Sequence, residues 1–157
     1  MWSGQGGSVL VSILIIGISV LLFLYWFRYT CLLILSARTS RDYARHVAVA
    51  NQLSFIDARR KLTDDASLTR LNDLHSLLER DYRLLTYLLN HGGAGYQSGK
   101  SIEVRILQID YWVMRIWYFA VQKLSPMRAR DALLEMSAII NHLANSMGER
   151  LSVAASA

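Results

Sequence analysis

The stretch Val9–Phe27, VLVSILIIGISVLLFLYWF, decides how this chain is read. It runs for 19 residues without a charge, and fourteen of them are Leu, Ile, Val or Phe. At roughly 0.3 to 0.6 kcal/mol each, these side chains favour insertion into a bilayer by about 4 to 8 kcal/mol. Coiled as a helix the stretch spans about 28 Å, close to the thickness of the hydrocarbon layer. Tyr25, Trp26 and Tyr29 form an aromatic belt at its C-terminal end, where Arg28 reaches the headgroups, and Trp2 marks the other interface. A cleaved signal peptide needs a basic leader and a small-residue cleavage site. Residues 1–8 carry no side-chain charge and no such site follows, so a retained anchor is expected.

The charges assign a side to each end. All 17 Lys and Arg lie at or after Arg28. Arg28 to Lys61 holds seven of them against Asp42 and Asp57, whereas Leu62 to Ala157 balances ten positive with ten negative residues. The excess of +5 is therefore juxtamembrane and does not mark the domain as a nucleic-acid binder. Arg28, Arg38, Arg41 and Arg45 follow the apolar stretch, so the positive-inside rule predicts an N-terminus outside the cell and a C-terminal domain in the cytoplasm, with the bacterial inner membrane as the expected location. The same arginines are placed to meet anionic lipid, at about 1 kcal/mol each near the surface.

Beyond the anchor, the apolar residues recur at helical spacing. A first helix is expected to continue from the membrane to about Lys61, with Tyr43, Val47, Ala50, Leu53 and Ile56 as its stripe. A second starts near Asp64 or Asp65, carries Leu71, Leu74, Leu78, Tyr82, Leu85 and Leu89 inward, and ends at Gly92 or Gly93. Glu79 and Arg83 are spaced as an i,i+4 pair on its outer face. A third starts at Ser101 as N-cap and reaches about Leu124. A fourth opens at Ser125 with Pro126 in its first position, buries Ala129, Leu133, Met136, Ile140, Leu143 and Met147, and closes at Gly148. The sequence thus predicts an all-α protein. It comprises a transmembrane anchor with a juxtamembrane extension over 1–37, a cytoplasmic antiparallel bundle of about four helices over 38–151, and a flexible tail over 152–157.

The third helix is apolar or aromatic at every position from Ile109 to Val121 except Asp110 and Arg115. That is wider than one core stripe requires. Either it is the central helix of the bundle, or it is two-sided, one face to the core and one to a partner or the membrane surface. Trp112, Arg115, Trp117, Tyr118 and Phe119 are the candidate interface residues.

Chemistry-bearing motifs are few. Ala94 to Ser101 reads A-x-x-x-x-G-K-S, a relaxed phosphate-binding loop in which Gly99, Lys100 and Ser101 would contact a nucleotide. A working loop of this kind follows a strand, and here a Leu-rich helix precedes it. His46, His75, His91 and His142 show no Glu-x-x-His spacing for a di-iron site, and an interior hydrogen bond is a more common fate for His142 than ligating a haem or chlorin. Asn141, His142 and Asn145 form a polar cluster on the fourth helix. The lone Cys31 excludes an internal disulfide.

No catalytic constellation, metal or cofactor is expected. The reading that fits the architecture is a non-catalytic, single-pass accessory subunit that docks on integral subunits of a larger membrane complex, of respiratory, photosynthetic, transport or secretion type. A nucleotide-binding regulator built on Lys100 and Ser101, and a homo-oligomeric scaffold or signalling protein, are the alternatives.

Overall fold

The computed structural model describes residues 5–36, 43–64, 70–91 and 98–156, with side chains described over 9–36, 43–64, 70–91 and 102–152. Among the described residues there are six helices and no strand, in two compact units, 1–36 and 37–157.

The first unit is α1, Gln5–Ser36. Its segment Val9–Ser36, 28 residues, is long and apolar enough to cross a membrane, and its most apolar window is not buried in the protein. Two of its hydroxyl groups are satisfied within the helix. Thr30 donates to the Trp26 carbonyl at 3.0 Å, and Ser36 donates to that of Leu33 at 2.9 Å. Back-bonding of this kind removes the need for water at those groups.

The second unit contains α2 (Ala44–Ala50), α3 (Phe55–Thr63), α4 (Leu71–His91), α5 (Ser98–Val121) and α6 (Pro126–Ser156). The helix expected to run on to Lys61 is broken. Gln52 takes a φ of 52°, in the left-handed region, with Asn51 as C-cap of α2. The Leu53 N–H donates to the Ala48 carbonyl at 2.9 Å and the Gln52 N–H to that of Val49 at 3.4 Å. This pair of bonds is a Schellman closure, which usually carries glycine at the left-handed position. Here glutamine occupies it, so the sequence shows no stop signal. The break also shifts the apolar stripe. Ala44, Val47, Ala48, Phe55, Ala58 and Leu62 are buried, while Ala50 and Ile56, expected inside, are exposed.

Residues on other helices close the ends of α3. Asp81 of α4, fully buried, accepts the N–H of Ser54 at 2.5 Å, and Arg80 binds both the Asp81 carboxylate and the Ser54 hydroxyl. At the other end Arg130 of α6 donates to the carbonyls of Leu62 and Thr63 at 2.5 and 3.0 Å. A cation on the last carbonyls of a helix also complements its dipole.

The core sits around α6, against which α2, α3, α4 and α5 all pack. Ala129, Leu133, Met136, Ile140 and Leu143 are buried as their spacing predicts, and Ala132, Ile139 and Ala144 widen the buried arc. Each large aliphatic side chain so buried contributes about 1.5 to 3 kcal/mol. The central helix is therefore the fourth expected one, not the aromatic third. Gly148, expected to end it, lies inside α6 and is buried. A Cβ there would collide with the Cβ of Tyr43, so the glycine permits close approach of the α2 start. The expected tail from Ser152 is also helical, through Ser156. Of the stripe predicted for α4, Leu71, Leu74, Leu78 and Leu85 are buried, while Tyr82 and Leu89 are half-buried. The helix start expected near Asp64 or Asp65 is not at Asp64, which is the extended C-cap of α3, and α4 begins at Leu71. Asp65, Gly92 and Gly93 lie outside the described residues.

Candidate partner-docking face

Helix α5 carries two apolar stripes. Val104, Leu107, Tyr111, Met114, Tyr118 and Val121, spaced 3, 4, 3, 4 and 3 apart, are buried. Ile102, Ile109, Trp112, Ile116 and Phe119, spaced 7, 3, 4 and 3 apart, are exposed to between 48% and 61%. The second set is offset from the first by two residues, about 200° around the helix, and so occupies the opposite side. Both sets have the spacing of a coiled-coil seam. Trp117, 46% exposed, extends the open face sideways.

Large rings hold α5 against α4. Tyr82 and Tyr111 stack at 3.7 Å between centroids with their planes 5° apart, and His75 stacks on Tyr118 at 4.7 Å. The Tyr118 hydroxyl donates to Asn72 Oδ1 at 2.8 Å. Burial pushes the hydroxyls of Tyr82, Tyr111 and Tyr118 above the usual phenol range. It also lowers the pKa of His75, an effect the nearby Arg115 reinforces and Glu79 opposes. Glu79 bridges the expected pair: it meets Arg83 at 2.5 Å and Arg115 at 3.2 Å. The hydrogen bond from Arg83 holds its carboxyl below the ordinary range.

The candidate interface residues therefore divide. Trp112, Trp117 and Phe119 stand on the open face. Arg115 is half-buried at its edge, paired with Glu79 and 6.0 Å from the Phe119 ring centroid. Tyr118 faces the core, 1% exposed, and is not part of the open face. Ile102, Ile109 and Ile116 belong to that face and were not singled out from sequence. Their spacing relative to Trp112 and Phe119 was the available signal.

On α1, Tyr25, Trp26 and Tyr29 are exposed at 53% or more, and Arg28 is intermediate. Arg38 and Arg41 lie outside the described residues. Gly99, Lys100 and Ser101 fall in the first turn of α5, which starts at Ser98 and not at Ser101, and the loop residues before Ser98 lie outside the description. The preceding described element is helix α4. His142 Nε2 is 2.7 Å from Glu103 Oε1, an α6–α5 link that occupies this ring nitrogen. Among the described residues no group of three or more His, Cys, Asp or Glu is placed to hold a metal ion.

Comparison of the chain with protein-family models, curated proteins and solved structures finds no match.

Proposed function

We propose that this protein is a non-catalytic, membrane-anchored accessory subunit. In this reading α1 spans the bacterial inner membrane, the N-terminus lies outside, and the helical domain lies in the cytoplasm. The outer face of α5 docks on an integral membrane subunit of a larger complex. The observation that carries the reading is the second, exposed apolar stripe of α5.

The stripe argues for a helical occupant. Its 3–4 spacing over about 26 Å matches the knobs of a helix pair. Covering it removes on the order of 600 Å² from water on this side, near the lower end for a specific interface. Trp112, with neighbours that exclude water around it, is the natural anchor. Charge selects among helices. Exposed Arg105 falls on the same seam and exposed Lys123 lies in the turn just past its end, while Asp110 is buried and Glu103 is engaged by His142. A second copy of the chain would bring the same cations to the interface. A partner helix with an apolar 3–4 repeat and acidic flanks complements them.

Replacing Trp112 by a photo-crosslinking residue in the full chain, in native membranes, tests this. The expected adduct is with an apolar, acid-flanked helix of a membrane subunit, lost when Ile109 and Ile116 become Glu. Adducts only between copies of this chain would favour the scaffold reading. Adducts only with lipid would assign the face to the bilayer surface, and a monodisperse monomer without protein adducts would overturn docking altogether.

A further inference from the structure

Three helices of the second unit meet at a half-open cleft of about 150 Å³ lined by Arg45 of α2, Phe55, Ile56 and Arg59 of α3, and Asn141 of α6. The two arginines are 14 residues apart in sequence, across the Gln52 turn, and the turn brings both to one cleft. No carboxylate pairs with either guanidinium, and Asn141 has no hydrogen-bond partner, among the described residues. The neighbouring contacts of α2 and α3 are otherwise well satisfied: Asn51 binds the Val47 carbonyl and Ser54 is capped by Asp81.

We propose that this cleft binds a phosphate ester. Its polar lining consists of two guanidinium groups, which only donate hydrogen bonds, and an amide that can donate. The group that suits two guanidinium forks lining one cleft is a tetrahedral oxyanion with several acceptor oxygens, and bidentate recognition of phosphate is what arginine does better than lysine. The remaining wall is apolar. Phe55 is buried at the floor, and Ile56 is 37% exposed. These surfaces suit the carbon side of an ester more than a fully hydrated inorganic ion. The cleft is several times the roughly 30 Å³ that one water occupies, large enough for a phosphate with its first ester carbons. The phosphate belongs either to a lipid headgroup or to a soluble metabolite. Both have the same recognition chemistry, and the site is independent of the α5 docking face.

The test uses the full chain in maltoside micelles, with two arms. In the first, glycerol 3-phosphate is titrated and binding is followed by calorimetry. In the second, phosphatidylglycerol is added to the micelles and retained lipid is counted by native mass spectrometry. Saturable binding is expected in at least one arm, and the responding arm identifies the source. Arg45→Gln and Arg59→Gln should each weaken it about tenfold or more, as loss of a charged hydrogen bond does. Arg59→Lys should weaken it too, because the charge stays and the fork is lost. Arg128→Gln, an exposed arginine about 20 Å along α6 from Asn141, should leave it unchanged. The replaced arginines are all exposed, so the variants keep the fold, checked by circular dichroism. Absence of binding in both arms, equal binding by the Arg45→Gln/Arg59→Gln protein, or equal weakening by Arg128→Gln would overturn the proposal.

Discussion

Asn145 Oδ1 accepts the backbone N–H of Ala44 at 2.6 Å, a buried bond between residues 101 apart in sequence. Ala44 is the first residue of α2, and its N–H has no partner within that helix. A side chain of α6 thus does for α2 what a local cap does elsewhere. Asn145→Ala leaves a buried donor unsatisfied and should destabilise the protein by about 1 to 3 kcal/mol. Urea unfolding of the full chain in detergent, followed by circular dichroism, measures this. An unchanged midpoint would show that the bond contributes nothing.

One turn further along, Gly148→Ala should reverse the usual sign. Gly to Ala inside a helix ordinarily stabilises by about 0.5 to 1 kcal/mol. Here the new methyl meets Tyr43 at its Cβ, an atom fixed to the backbone, with Val47 close by. A loss of about 1 to 3 kcal/mol is expected, as for other overpacked sites. A raised thermal midpoint would contradict the packing.

Gln52→Gly should do the opposite. At a φ of 52° a side chain is strained, and glycine is not. Relief of that strain outweighs the added freedom of the unfolded chain, giving a gain of about 0.5 to 1 kcal/mol. The thermal midpoint should rise, and a fall would count against the left-handed closure of α2.

His75 gives the fold a pH dependence. Its folded-state pKa lies below the ordinary 6.5, chiefly because the ring is buried. Above 6.5 the ring is neutral in both states and adds no pH dependence. As pH falls below 6.5 the unfolded chain takes up a proton that the folded one refuses, so stability drops until the folded-state pKa is reached. Glu79, with its lowered pKa, adds a second loss further down, as the pH falls from the usual carboxylate range through its folded-state value. His75→Phe keeps a ring against Tyr118 and removes the first loss. Unfolding free energies measured between pH 7.5 and 5 should slope in the parent and be flatter in the variant, and parallel slopes would exclude His75 as the source.

The readable parts of the fold were those written in one stripe. Leu71, Leu74, Leu78 and Leu85 recur on a single face, so α4 was evident from spacing alone. Helix α5 was harder because its two stripes interleave: with Ile109, Trp112 and Ile116 between Leu107, Tyr111 and Met114, the sequence looks uniformly apolar, and only burial separates the sets. Gly148 misled because a glycine that ends a helix and one that admits a neighbour look identical along the chain. Gln52 gave no sign of a turn because its residue type is the wrong one for the job it does. The caps from Asp81 and Asn145, and the placing of Arg45 and Arg59 on one cleft, depend on tertiary proximity that no local pattern encodes.

The helix on which α2, α3, α4 and α5 all pack comes after every one of them in chain order. During synthesis those four emerge with the sides that face α6 uncovered, and the shared core stays open until α6 follows. Such a chain spends its growth in a state prone to wrong association. Its folding should be late and abrupt, and a stalled ribosome carrying it through Ser125 would hold a protease-sensitive nascent chain that becomes resistant only once α6 has cleared the exit tunnel.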